Sequence, residues 1–141
     1  MRKALLFLAL FGAIRLFAQT QHSDLDTVLS YMKSQETFWN RGDIPGFMDY
    51  YWKSDSLKFI GRTGVNYGWQ TTFGNYLKNY PNREAMGTLK FTVMEASQLC
   101  TNSIFIVGKW ELIKDKPAGG HFSLLWKKKN GNWRIVTDHT S

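Results

Sequence analysis

SIFIVGKWELI, residues 103–113, decides the fold. Ile104, Ile106, Trp110 and Leu112, with Gly108 among them, fall on alternate positions, the period of a strand with one buried face. The segments around it repeat the pattern. Thr88 to Ala96 precedes it as a strand, and a polar turn from Lys114 to Gly119, containing Pro117, follows. His121 to Lys128 is the next strand. Asn130-Gly131 is a two-residue hairpin signal, because both positions favour the left-handed backbone that tight hairpins need. Trp133 to His139 is the last strand. Four long antiparallel strands in a meander are predicted.

Upstream the period changes to that of helices. Trp69 to Asn79 places Trp69, Phe73, Tyr76, Leu77 and Tyr80 on one side, with Gly68 before it and Pro81 as the stop. Leu57 to Gly61 reads as a short strand. A turn from Arg62 to Asn66 lets Val65 to Tyr67 pair back onto it. Asp43 caps a short helix through Ile44, Phe47, Met48 and Tyr51, with Pro45 in its first turn. Ser23 caps the first helix, and Asp24 and Asp26 sit where its dipole favours acids. Leu25, Val28, Leu29, Met32, Phe38 and Trp39 form its apolar face, and Arg41-Gly42 ends it. Helices feeding an antiparallel meander predict an α+β fold, a curved sheet covered by three N-terminal helices.

The first 18 residues read differently. Met1-Arg2-Lys3 is basic, Ala4 to Ala13 is apolar, and Leu16-Phe17-Ala18 ends in a small residue before polar Gln19. This is the pattern of a secretory leader, too short for a permanent span, although Arg15 is unusual in such a run. The expected organisation is a leader over 1–18 and one domain over 19–141, periplasmic or secreted, with no membrane attachment after processing.

Composition narrows the function classes. Charged residues are 21% and hydrophobic ones 43%, which suits a globular domain. The net charge is +7, but Arg2, Lys3 and Arg15 belong to the leader, leaving fifteen basic residues against eleven acidic. Lys127-Lys128-Lys129 beside a hairpin reads as a solvated edge that discourages strand pairing. With no basic helical stripe and no aromatic-basic motif, nucleic acid is not an expected partner. A single cysteine allows no internal disulfide, and Cys100, beside Leu99 in an apolar stretch, is expected to be buried and inert. His22, His121 and His139 lack metal-ligand spacing, though His121 and His139 lie on adjacent strands. No phosphate loop or nucleophile elbow is present, so no metal and no cofactor are expected.

Several segments carry a family likeness. Phe38-Trp39-Asn40-Arg41-Gly42-Asp43, Phe59-Ile60-Gly61 before Gly68, Gly119-Gly120-His121-Phe122, Asn130 to Val136, and Asp138-His139-Thr140-Ser141 occur in that order. Together they resemble the nuclear transport factor 2-like superfamily, in its SnoaL-like and ketosteroid isomerase-like branches. The resemblance implies a cone of bent sheet with a pocket between sheet and helices, and a homodimer through the outer sheet face. It implies relatives that are isomerases, cyclases, dehydratases, ligand binders or inert scaffolds, since one fold hosts many functions. Relatives often carry a histidine where this chain has Thr137, and no acid here matches the base of the isomerases.

On the last strand, regular alternation puts Trp133, Ile135, Thr137 and His139 on one face and Arg134, Val136 and Asp138 on the other. Asp138 and His139 are the candidate proton carriers, and a bulge would be needed for both to face a cavity. Tyr50, Tyr51, Tyr67 and Tyr76 are candidate phenol donors. Trp52, Tyr67, Trp69, Trp110, His121 and Trp126 are the candidate ligand contacts, because aromatic walls with a few polar tips are the usual form of a small-molecule site. Three readings follow: a binder of a small apolar or aromatic molecule, an acid/base enzyme in the same cavity, or an interaction module with its cavity filled. A hollow holding a carboxylate beside a phenol selects the second.

Overall fold

In the computed structural model, residues 23–141 are described. The leader expected over 1–18 lies outside them. The chain order is α1 (Asp24–Asn40), α2 (Ile44–Met48), β1 (Lys58–Gly61), β2 (Gly64–Tyr67), α3 (Trp69–Asn79), α4 (Arg83–Met86), β3 (Thr88–Cys100), β4 (Ser103–Ile113), β5 (Ala118–Lys129) and β6 (Asn132–Thr140). One six-stranded sheet runs β2-β1-β6-β5-β4-β3. The α+β meander is as expected. Two features are not: the one-turn helix α4, and the parallel pairing of β1 with β6 that appends the first hairpin to the sheet.

The helices are fixed to the sheet by polar side chains as well as by packing. Ser23 and Asp26 form a reciprocal capping box. Asp24 accepts from Lys128 Nζ and from Trp133 Nε1 at 2.9 Å, which ties the start of α1 to the β5–β6 hairpin. At the other end Asn40 bonds both backbone groups of Leu89, donating at 3.0 Å and accepting at 2.7 Å. The Glu36 carboxylate accepts from the Phe91 N–H. These side chains occupy edge groups of β3 that would otherwise stay open to another strand. Val28, Met32, Trp39, Ile44, Phe47 and Met48 pack onto Ile104, Ile106, Leu124, Trp126 and Ile135 from the sheet.

Two local features shape the sheet. Gly108 leaves room for the Phe122 ring, since a Cβ there would stand 2.4 Å from Phe122 Cζ. The second is a bulge in β6. Ile135 pairs with Trp126 and Thr137 with Leu125, so Val136 is the extra residue. Alternation restarts after it. Trp133, Ile135 and Asp138 are buried, while Thr137 is half-buried and His139 exposed. The regular alternation expected from sequence is therefore corrected: the bulge moves Asp138 to the inner face and sends His139 outward.

Two further expectations change. Cys100 is exposed at the end of β3, beyond the part of that strand the helices cover. Within the lysine run only Lys127 is fully solvated, as Lys128 pairs with Asp24 and Lys129 lies 4.1 Å from the Trp52 ring.

Candidate functional site

A cavity of about 910 Å³ opens between the inner face of the sheet and the α2–α3 roof. Its walls are Trp39, Phe47, Phe59, Tyr80, Phe91, Trp110 and Phe122, and Asp138 also lines it. The hollow is large enough for a drug-sized guest.

Asp138 is 4% exposed. The bulge aims it inward, and the parallel pairing sets Phe59 of β1 directly beside it. Tyr51 reaches it from the chain that follows α2. There the backbone joins β6: Ile135 N–H donates to Tyr50 O, and Trp52 N–H donates to Ile135 O. That bridge fixes Tyr51 next to Ile135, and its hydroxyl donates to Asp138 Oδ2 at 2.6 Å. Such a short bond to a buried carboxyl is of the strong, charge-assisted kind. Asp138 Oδ1 is buried with no partner.

Burial raises the Asp138 pKa from 3.8 to about 6, against the opposing effect of the Tyr51 hydrogen bond. The Tyr51 phenol is pushed well up, first by burial and then by the Asp138 charge. Tyr76 of α3 lines the same space and is raised for the same two reasons. Both phenols therefore stay protonated, the Tyr51 O–H committed to Asp138 and the Tyr76 O–H available as a donor. A carboxyl near neutrality, with one oxygen held and the other unpartnered, can take a proton from a carbon acid, and the Tyr76 phenol can stabilise the anion formed.

The structure brings together Asp138, Tyr51, Tyr76 and Trp110 from the residues singled out in the sequence. Trp110 lines the cavity with its indole N–H buried and unpartnered. The other expected contacts stand outside the lining. His139 is exposed, with Ser123 and Ile60 as its register partners. His121 is exposed on β5, its backbone bonded to Ser141. Tyr67 is 59% exposed at the end of β2. Trp52 lies under Lys129. Trp69 stacks on Phe73 and donates to Met48 O at 3.1 Å, which anchors the start of α3. Trp126 is wholly buried in the core against Tyr31. Sequence reading missed Trp39, Phe47, Phe59, Tyr80, Phe91 and Phe122 as wall residues. Their helical or strand period marks them as inward, but inward residues fill a core and line a hollow with the same pattern. Among the described residues no cluster of three or more histidine, cysteine or acidic side chains could hold a metal. No helix among them is long and apolar enough to cross a membrane.

Comparison with known proteins finds similar solved structures, near and distant. An NTF-2 like protein of unknown function from Shewanella oneidensis is 38% identical, with a TM-score of 0.79 over 82% of this chain and 97% of that one. A ketosteroid isomerase-like protein from Erwinia carotovora atroseptica is 19% identical, with a TM-score of 0.68 over 86% of this chain and 97% of that one. A domain with a cystatin-like fold from Nostoc punctiforme is 12% identical, with a TM-score of 0.70 over 86% of this chain and 78% of that one. The last two speak for the fold alone. No family model matches, and no curated protein matches.

Proposed function

The chain belongs to the NTF2-like family, and from that premise we propose that its cavity binds a small, largely apolar molecule and moves a proton on it. Asp138 is the general base, Tyr51 holds it, and Tyr76 is the donor that stabilises the developing oxyanion. The observation that carries this reading is the buried carboxyl lining the hollow, with Oδ2 held by a phenol and Oδ1 left without a partner. A filled interaction module would have no use for the empty space. A purely passive binder would have no use for a carboxyl that burial disfavours as an anion.

The test has two parts. The Asp138 carboxyl carbon, followed by NMR, should titrate near pH 6. The α-protons of 2-tetralone and related cyclic aryl ketones in deuterated buffer should exchange faster with protein present, with a rate that rises through the same pH and vanishes in Asp138→Asn. Titration near pH 4, or exchange no faster than in buffer across the panel, would sink the proposal.

Two accompanying proposals concern context. The chain is exported after removal of residues 1–18, which the mass of the protein recovered from the periplasm would reveal. It pairs with a second copy through the outer sheet face, where Phe105 and Leu125 sit side by side and half-buried. Light scattering that gives a dimer for the wild type and a monomer for Leu125→Lys would support this. A wild-type monomer would refute it.

A further inference from the structure

Among the residues that line the cavity, only Asp138 and Arg62 have charged side chains. They stand at opposite ends. Asp138 is deep, and Arg62 is exposed in the turn between β1 and β2. Phe59 is the register partner of Asp138, and Arg62 is three residues further along the chain, roughly 10 Å at strand rise. Aromatic rings, among them Phe59, Tyr76 and Tyr80, lie along the cavity wall.

Arg62 makes no ion pair, hydrogen bond or ring contact with any described residue. The side chains of Asn66, Asn75 and Asn79, which also line the cavity, form no hydrogen bonds either. An unpaired guanidinium fork at the cavity is a receptor for a planar oxyanion. A single cation matches the single charge of a carboxylate better than a dianionic phosphate. The opposite end excludes anions, because a charge placed beside Asp138 would meet a carboxylate in a dry site.

We propose that the ligand is an aromatic or alicyclic carboxylic acid that enters with its reacting carbon toward Asp138 and leaves its carboxylate at the mouth on Arg62. This rests on the reading of the cavity as a proton-transfer site and adds the class and orientation of its substrate.

The experiment uses a matched pair, 3-(2-naphthyl)propanoate and its primary amide, titrated calorimetrically into the protein at pH 7 in low salt. The wild type should bind the acid about five- to tenfold more tightly than the amide, with the preference shrinking in 0.5 M salt as the exposed pair is screened. Arg62→Gln should abolish the preference and leave the amide's Kd unchanged. Arg62→Lys should keep part of it. Arg62 is exposed and has no hydrogen bond, ion pair or ring contact to lose, so neither substitution threatens the fold. Equal affinity of acid and amide for the wild type, or a preference that survives Arg62→Gln, overturns the carboxylate assignment and leaves the cavity reading standing. Arg62→Gln weakening both ligands alike overturns it too, since the residue would then shape the mouth rather than bind charge. Failure of both molecules to bind the wild type removes the cavity reading together with this inference.

Discussion

Replacing Asp138 with asparagine should make the protein more stable relative to wild type as the pH rises, while removing the proposed base. The size follows from the site. The carboxyl is 4% exposed and its pKa is raised from 3.8 to about 6. A raised carboxyl pKa means the folded state holds the proton more tightly than the unfolded chain. The stability tied to that proton is fully present below pH 3.8 and is lost as pH rises through 6. A gap of about two pH units corresponds to roughly 3 kcal/mol. Asparagine keeps an oxygen for the Tyr51 hydroxyl and carries no charge at any pH. Any fixed offset from its amide is the same at every pH, and all other titrating groups cancel in the comparison.

The assay is urea unfolding of both proteins by circular dichroism, in steps from pH 3.5 to 8. The variant-minus-wild-type difference should grow by about 3 kcal/mol, nearly all of it between pH 4 and 7. In melting temperature that is a swing of roughly 10 °C for a chain of this size. A difference constant to within about 0.5 kcal/mol over the range would mean that Asp138 titrates as an ordinary surface acid. The burial argument, and the proton-transfer role built on it, would then both fail.

Other substitutions test the supports of the site. Tyr51→Phe removes the hydrogen bond that lowers the Asp138 pKa, so that carboxyl should titrate above 6 by NMR, and the loss of stability should be larger at pH 8 than at pH 5, about 1.5–3 kcal/mol at the alkaline end. Gly108→Ala forces a methyl toward Phe122 Cζ and the Thr92 carbonyl, at 2.4 and 2.7 Å. Unfolding should show a loss of about 1–3 kcal/mol, and naphthyl ligands should bind more weakly as the Phe122 ring is displaced. Asn40→Ala strips both bonds to the Leu89 backbone and should cost about 2 kcal/mol, with faster hydrogen exchange at the Leu89 amide.

The fold was legible in the sequence because each element carries its own signal. The alternation at Ile104, Ile106 and Leu112, the Ser23 and Asp43 caps, and Asn130-Gly131 each act within a few residues. The site was less legible because it depends on pairings between distant segments. Asp138 was a candidate from its place near the end of the last strand, yet strict alternation set it opposite Trp133 and Ile135, whereas all three are buried. A bulge at Val136 has no local signature, since it is defined by the partner strand. Tyr51 stood among four equivalent tyrosines until the bridge to Ile135 singled it out. Trp126 and Trp110 look alike in sequence, each inward on a strand. One is wholly buried beneath α1 and the other lies over the hollow, and only the path of the helices separates them.

The energetics of Asp138 bear on whether the hollow is used at all. A domain of this kind is stable by about 5–15 kcal/mol, and above pH 6 this one carboxyl takes back roughly 3 of them. Several neutral side chains could sit beside Tyr51 at smaller cost, and leucine would extend the apolar wall. A scaffold selected for packing alone would shed such a group, whereas a site that must accept a proton near neutrality requires a carboxyl whose anion is poorly solvated. The Tyr51 hydroxyl fits the second case. It tempers the penalty and holds the carboxyl's direction, but it leaves Oδ1 unpartnered, where a packing role would have been better served by a partner for both oxygens. Under the proposed function the penalty and the unpartnered oxygen have one explanation in common: the partner Oδ1 lacks is a hydrogen on the guest.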